Sequence, residues 1–446
     1  MCGIFAIYSK KGANISLLIN ALSNLKHRGK DSYGISFVEH HQKEIQRMKS
    51  LKKFNKNDYE SYKNTIKLAI AHNRYSTNIG KSIENFKKEI QPILVKNDCL
   101  EFDLAHNGNI TNLSKYIGDK VDSELSDTQN IVKMFSNEKN IENALIRFIN
   151  TVHCSYSIVI LTKTDIYAFK DRYGYKPLCI GIIGENFCIS SEDCIENFTK
   201  IKEIKPGELV KMNDSGYKTI YQINQINKQL SLKCVFEYIY FMNKTTTSHG
   251  DTVYNIRKKL GKKLASVETT KFNSDTIVVG SPNTAIPMGI GYAEYLKLSY
   301  KQILLKHKNC ERTFILKDQK SRQNECKKFS ICGDIKNKVI ILVDDSIVRG
   351  NTIQSLTKLF YKNGCKELHI RVCSPELKYT CNYGIDIPTK EELVINNYSI
   401  DEIKNLNNMT SLKYLTVNEM LSVFDKKNSG FCSACFDGNY NKELEW

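Results

Sequence analysis

The spacing of apolar segments changes partway along this 446-residue chain, and that change constrains the fold more than any other feature. In the first half, short apolar runs at residues 3–8, 67–71, 99–105, 155–162, 166–170 and 188–190 are interrupted by two amphipathic stretches, 16–25 and 128–135. Runs of that length read as strands. The second half reads helix 253–265, strand 276–279, helix 288–296, strand 339–343, helix 352–361 and strand 367–372. Strands separated by helices of this length imply a parallel sheet covered by helices. Single cores stop growing at roughly 250–300 residues. The change of rhythm therefore predicts two domains meeting between 213 and 232, divided as 2–225 and 226–446.

Composition narrows the class. The formal charge is +17, but it comes mostly from lysines scattered among Asn, Ile and Tyr. Without a dense patch interleaved with aromatics, nucleic-acid binding is not expected, whereas anionic phosphorylated substrates suit the excess. There is no run of 18 apolar residues and no charged-then-apolar leader, so neither a membrane span nor secretion is expected. A soluble cytoplasmic protein is the expectation. Fifteen cysteines in such a chain argue for packing, catalysis or metal binding over a disulfide framework. Cys99, Cys154, Cys179 and Cys188 lie in apolar runs and read as packed. Arginine numbers ten, and Arg28, Arg74, Arg172, Arg312 and Arg349 all fall in unusual polar segments. Lysine does not reproduce the bidentate fork of arginine, so those positions carry weight.

Cys2 stands first among the reactive candidates. Removal of Met1 leaves a thiol and a free α-amine, of pKa about 8, on one residue. A terminal amine can serve as base for its own side chain. The alternative reading is a small apolar residue at the start of a strand. Four further segments combine polar residues with glycines or a helix start: 27–31, 72–77, 106–109 and 126–128. Each also has a structural reading, with Asp127 as a helix N-cap and Asn107-Gly108 as a tight turn.

Taken in order, MCGIFAIY, HRGKDSYG, HNRYSTNIG, LAHNGNI and LSDTQ resemble the glutaminase domain of the N-terminal-nucleophile (class II) glutamine amidotransferases. The resemblance spans roughly residues 2–200 and implies an α+β, four-layer αββα domain. It implies that Cys2 attacks the glutamine side-chain amide, that Asn107 and Gly108 form the oxyanion hole, and that Arg74, Thr77 and Asp127 bind glutamine. The chemistry of the residues agrees: an arginine fork suits a carboxylate, and an amide beside a backbone N–H suits an oxyanion. At Lys176 the family usually has arginine, a change that keeps charge and removes the fork.

The second half carries the string VIILVDDSIVRGNT at 339–352, an apolar strand running into two acids and a Ser/Gly/Thr loop that opens a helix. Backbone N–H groups at such a start cradle phosphate, and paired carboxylates accept from sugar hydroxyls. The string resembles the phosphoribosyl pyrophosphate (PRPP) motif of α/β type I phosphoribosyltransferases. A class II glutaminase followed by this motif resembles the amidophosphoribosyltransferase family. That resemblance implies PRPP binding by Asp344, Asp345, Ser346, Arg349, Gly350, Asn351 and Thr352, a lid contributing Lys306 and Arg312, and Mg²⁺ at Asp344 and Asp345. It further implies synthesis of 5-phosphoribosylamine from PRPP and glutamine, feedback by purine nucleotides and a homotetramer. Segment 234–241 resembles the family's inter-domain strand. Departures occur at Asn283, where an acid is usual, at Asn309, where an aromatic is usual, and at Glu311, where glycine is usual. They keep open a second reading, a regulatory PRPP- or nucleotide-binding protein with an impaired transferase site. A third reading, another amidotransferase class, has no need of a PRPP cradle.

Cys432 and Cys435 form a C-x₂-C pair, a spacing that suits one metal centre, a redox pair or simple packing. Cys234, Cys381, Cys432 and Cys435 match the four [4Fe–4S] ligands of the iron–sulfur branch of the family. Zinc is the chemical alternative, and Cys373 could replace Cys381. That branch usually has a short propeptide; here only Met1 precedes Cys2, so methionine removal is expected to suffice.

Overall fold

The computed structural model describes residues 2–446 except 56–57, 60–61, 63–64, 76–82, 136, 225–230, 249, 308–328, 388, 425–429, 442–443 and 445–446. The chain divides into two units. The first comprises Met1–Cys234, Asn382–Asp386 and Tyr440–Trp446; the second comprises Val235–Cys381 and Ile387–Asn439.

Unit 1 is built on two antiparallel sheets. Strands β1 (Gly3–Ala13), β2 (Ser32–Glu39), β3 (Gln46–Ser50), β4 (Ile66–Arg74), β9 (Cys179–Ile183), β10 (Asn186–Ser190) and β11 (Phe198–Glu203) form one sheet, in the order β11-β9-β10-β1-β4-β2-β3. Strands β5 (Ile93–Lys96), β6 (Glu101–Asn109), β7 (Ser155–Leu161), β8 (Ile166–Lys170), β12 (Glu208–Asn213) and β13 (Gly216–Gln222) form the other, in the order β13-β12-β8-β7-β6-β5. Alternation along each strand sends one set of side chains between the sheets and the other toward helices. Ile4, Ala6, Leu68, Ile70, Ala105, Val159 and Leu161 meet in the inter-sheet core. Each large apolar side chain buried there contributes roughly 1.5–3 kcal/mol. Phe5, Ile7, Ile35 and Ala71 face the opposite way and pack on Leu18, Leu22 and Ile15 of helix α1 (Ile15–Asn24). The second sheet is covered likewise by α2 (Asp127–Lys133) and α3 (Ile141–Thr151), through Ile131, Leu145 and Phe148. The result is the four-layer αββα arrangement.

Unit 2 carries five parallel strands. Strands β14 (Ile277–Gly280), β15 (Ser299–Tyr300), β16 (Val339–Asp344), β17 (Glu367–Val372) and β18 (Ser411–Tyr414) lie in the order β15-β14-β16-β17-β18. Helices α4 (Val253–Ser266), α5 (Ile286–Leu296) and α6 (Asn351–Lys362) belong to this unit. β16 lies at the middle of the sheet and Ile340, Ile341, Leu342 and Val343 are fully buried, which explains an apolar run without alternation.

Three local expectations differ from the structure. Segment 234–241 is not a continuous strand: a two-residue strand at Lys233–Cys234 gives way to a π-helical turn at Glu237–Phe241. Tyr238, Ile239 and Phe241 are all buried, so the run has no period to separate strand from helix. Arg257 holds the turn by donating to the carbonyls of Tyr238 and Met242, each at 2.8 Å. The N-cap before α2 is Ser126, in a capping box with Gln129, and Asp127 is the first helical residue. Asn107-Gly108 is the end of β6 and not a turn.

Candidate functional site

Adjacent strand ends build the site in unit 1. β1 and β4 pair with Gly3 opposite Asn73 and Ile4 opposite His72, so the register brings Cys2 toward Arg74. The main-chain nitrogen of Cys2 donates to Asn107 Oδ1 at 2.9 Å. Asn107 is fully buried, and its Nδ2 has no partner among the described residues. An amide fixed through its oxygen by the nucleophile's own nitrogen thus keeps its N–H donors for another acceptor.

Gly108 follows on β6, opposite Tyr156 on β7. A Cβ there would stand 2.1 Å from the Ser155 carbonyl oxygen, so only glycine permits this strand spacing. The neighbouring His106 accepts or donates at Thr128 Oγ1 at 3.1 Å and lies 3.7 Å from Asp127 Oδ2. Asp127 is further fixed by the N–H groups of Thr128 at 2.7 Å and Ile110 at 3.2 Å. His72 spans the sheets to the His106 carbonyl at 3.1 Å, and burial pushes its imidazole down to about 3, so it is neutral.

Arg74 is almost fully buried. Its Nη2 pairs with Glu89 and its guanidinium lies 5.0 Å over the Phe86 ring, while Nη1 has no partner among the described residues. Tyr75 donates to Asp386 at 2.8 Å, on the segment Asn382–Asp386 that returns to this unit. Thr77 lies outside the described residues. Contacts therefore link Cys2, Asn107, Gly108 and Asp127 in a continuous series, with Arg74 on the strand beside Cys2.

The candidate site of unit 2 lies at the carboxyl end of β16. Asp344 ends the strand and accepts from the Asp345 N–H at 3.0 Å. Ser346 Oγ donates to Asp345 Oδ1 at 2.7 Å. Burial first, and then the Asp345 charge, push the Asp344 carboxyl well above the ordinary carboxylate range. Gly350, at φ +82°, turns the chain into α6, whose first residues are Asn351 and Thr352. Arg349 reaches Glu392 through Nε and Nη2, both at 3.2 Å. Lys306 ends a short strand with its Nζ 5.9 Å from the Phe329 ring centroid. Arg312, Asn309 and Glu311 lie outside the described residues.

Sequence reasoning passed over Glu89, Gln91 and Glu192. Gln91 accepts from His106 N–H at 2.6 Å and donates to Thr128 Oγ1 at 3.1 Å, joining β6 to α2. These are single polar residues outside any spaced pattern. Only their burial, 2% exposure for Glu89 and 1% for Glu192, marks them.

Fold and site together define a class II glutamine amidotransferase unit followed by a parallel α/β unit with a paired-acid strand end. Comparison with known proteins carries this further. A glutamine amidotransferase domain profile matches residues 78–195. The amidophosphoribosyltransferase of Methanocaldococcus jannaschii is 30% identical, over 100% of this chain and 98% of its own length. That of Mus musculus is 33% identical over 85% and 83%. Among solved structures, the glutamine PRPP amidotransferase from B. subtilis complexed with ADP and GMP superposes with a TM-score of 0.86 at 30% identity, covering 100% of this chain and 98% of that one. The chain belongs to the amidophosphoribosyltransferase family, and it is an enzyme of the glutamine amidotransferase class.

Proposed function

We infer that this chain makes 5-phosphoribosylamine from PRPP and glutamine, releasing glutamate and pyrophosphate, at the entry to purine synthesis. The observation that carries the reading is the Cys2–Asn107 pair. The nitrogen that becomes the α-amine is held at 2.9 Å by an amide whose own donors are left for a developing oxyanion. Once Met1 is removed, the amine takes the Cys2 thiol proton as sulfur attacks the glutamine side-chain carbonyl carbon. Asn107 Nδ2 and the Gly108 N–H donate to the resulting oxyanion. The C–N bond breaks, the amine returns its proton to the departing ammonia, and water then hydrolyses the thioester to glutamate. Arg74 Nη1 suits the α-carboxylate and Asp127 the α-ammonium of glutamine; Thr77 is assigned beside them on the family resemblance. The working division, glutaminase at 2–225 and transferase at 226–446, belongs to the same reading.

In unit 2, Asp344 and Asp345 receive the ribose hydroxyls, and the turn through Ser346, Arg349, Gly350, Asn351 and Thr352 receives the 5-phosphate. Lys306 and Arg312 are assigned to the pyrophosphate side. Ammonia attacks C1 of the sugar and pyrophosphate departs. Two adjacent acids, Asp344 and Asp345, both buried, fit Mg²⁺, which offsets phosphate charge when bound. Purine nucleotides as feedback inhibitors fit the ADP and GMP bound to the B. subtilis relative. A homotetramer in the cytoplasm completes the reading. No helix among the described residues is long and apolar enough to cross a membrane.

Cys234, Cys381, Cys432 and Cys435 are proposed to hold a [4Fe–4S] cluster, with zinc as the alternative. Cys234 and Cys435 are buried, and Cys381 and Cys432 are half-buried. Within unit 2, the N–H groups of Lys378 and Tyr379 donate to the Cys435 carbonyl at 3.2 and 3.1 Å, drawing the chain just before Cys381 to the C-x₂-C segment. An all-thiolate donor set suits either centre, which would cross-link the segments that carry it. Iron and acid-labile sulfide analysis under anaerobic conditions separates them; zinc without sulfide removes the cluster.

The test of the reaction is pyrophosphate release from PRPP and Mg²⁺ with either glutamine or ammonium. Product is expected with both donors. Pyrophosphate with neither would leave the regulatory reading, which the changes at Asn283, Asn309 and Glu311 favour.

A further inference from the structure

A buried charge network sits behind the nucleophile, outside any residue assigned to substrate. Arg28 Nε donates to the carbonyl oxygen of Cys2 at 2.9 Å, so Cys2 is held at its nitrogen by Asn107 and at its oxygen by Arg28. The Arg28 side chain is fully buried, and its Nη1 pairs with Glu192, whose side chain is equally buried. His27 Nε2 meets the same Glu192 oxygen at 2.8 Å, while His27 Nδ1 lies 3.1 Å from the Asn24 carbonyl. The residues flanking Glu192 are stitched to β1. Ile4 N–H donates to Ser191 Oγ and Ser191 N–H donates to the Ile4 carbonyl, both at 2.9 Å. Ser190 Oγ donates to the Glu192 carbonyl at 2.6 Å.

We propose that Glu192 and His27 are positioning residues for the glutaminase reaction, acting through Arg28 to fix the main chain of Cys2. This rests on the reading of Cys2 as the nucleophile. The physical argument concerns where a buried guanidinium goes when its counter-charge is removed. Buried charges persist only when paired, and an unpaired one reorients toward water or draws water in. Arg28 pairs with the buried Glu192 carboxylate, and through its Nε it grips the residue that must attack. Neutralising Glu192 frees the fork to move, and Cys2 moves with it. A misplacement of about 1 Å costs on the order of a hundredfold in a positioned reaction, so a partial loss of restraint lowers rate well before it lowers binding. His27 supplies the second donor that orients Glu192 toward Arg28. Neither residue is among those assigned to glutamine, so the glutamine KM is expected to stay near that of the unsubstituted protein.

The donors of His27, Glu192 and Cys194 lie within 4.8 Å of one another, a set that resembles metal ligation. Arg28 already occupies the Glu192 oxygen that faces His27, so the positive charge a metal would bring is present as guanidinium. The network is an ion-pair clamp.

Steady-state glutamate release and ammonium-driven pyrophosphate release, measured on the full chain, test the clamp. Glutamate release by the unsubstituted protein is read first; its absence would fail the nucleophile reading and not the clamp. Glu192→Gln is expected to lower kcat for glutamate release about tenfold while the glutamine KM stays within about twofold, with the ammonium reaction unaltered. His27→Leu is expected to lower kcat about three- to fivefold, and His27→Gln, which keeps a donor toward Glu192, to recover most of it. Unchanged kcat in Glu192→Gln overturns the proposal. So does a loss shared equally by the ammonium reaction, which marks general destabilisation. If Glu192→Gln fails to fold, the histidine pair decides: equal rates for His27→Leu and His27→Gln overturn the clamp.

Discussion

The two candidate sites are built on opposite principles. In unit 1 the reactive groups are wired to neighbouring side chains and backbone before any substrate arrives: Cys2 to Asn107 and Arg28, Asp127 to two N–H groups, His106 to Thr128. In unit 2 Asp344 ends its strand buried beside a second acid, Asp345, and responds by holding its proton well above the usual range. The first site is preorganised and contributes to the fold that carries it. On the proposed reading the second is organised by its ligand, and in the free protein the raised Asp344 pKa sets its ionised form against folding. Chemistry explains the difference. An oxyanion that exists only in the transition state requires donors already in place, whereas a phosphorylated, magnesium-bearing substrate brings the charge that completes its own site.

If the contrast is real, substitutions in the two sites should differ in kind as well as size. Cys2→Ala has the largest effect: glutamine-dependent pyrophosphate release should fall by about three orders of magnitude or more, while the ammonium-dependent reaction persists. Equal loss of both would erase the separation between the sites. Next comes Asn107→Ala, expected to lower glutamine-dependent kcat by about 10²–10³. It should lower thermal stability too, because the half-buried Cys2 N–H then loses its acceptor and the fully buried Asn107 side chain leaves a gap. A fall in kcat without any fall in Tm would show that the wiring is catalytic only. Gly108→Ala, placing a Cβ 2.1 Å from the Ser155 oxygen, should force β6 from β7 and cost about 1–3 kcal/mol by overpacking, measured by chemical denaturation.

Much of this was legible in the sequence, for reasons that differ by element. β8 and β17 were placed to the residue for two reasons: IYAFK is a short apolar run closed by Lys170, and ELHIRV alternates polar and apolar residues with the period of a strand. The motif residues of the unit 1 site were legible because each lies at a strand or helix end, where a polar residue beside glycine has few structural uses. Glu192 and Glu89 were invisible. Each is a single acid, and its meaning comes from a partner 164 or 15 residues away in the chain. The segment 234–241 misled because total burial removes the periodicity that separates strand from helix. Asn382–Asp386 illustrates a further limit. Its return to unit 1 rests on Tyr383 stacking on Tyr175 at 4.4 Å and on Ser155 Oγ donating to the Tyr383 carbonyl at 3.0 Å. Neither contact has a local signature.

The smallest expected effect is the sharpest test of the contrast, because its sign is opposite to that of Asn107→Ala. The folded protein raises the Asp344 pKa above its unfolded value, through burial and then the Asp345 charge. In the interval between those two values the folded state binds more protons than the unfolded state, so stability falls as pH rises. The contribution of this group is fully present below the ordinary carboxylate range and is lost as pH climbs through the raised value. Free of Mg²⁺ and PRPP, the protein should therefore melt at a lower temperature at pH 8 than at pH 6, as far as Asp344 governs it. Asp344→Asn removes the charge and keeps the shape, so it should flatten that dependence and raise Tm at pH 8 by about 2–4 °C, the shift that roughly 1 kcal/mol gives in a unit of this size. The same variant should lose PRPP-dependent turnover with either nitrogen donor while glutamate release continues. Calorimetry at the two pH values, with and without Mg²⁺, reads the sign directly. A destabilised Asp344→Asn would mean that the second site is wired into its fold as the first is, and the two would no longer differ in principle.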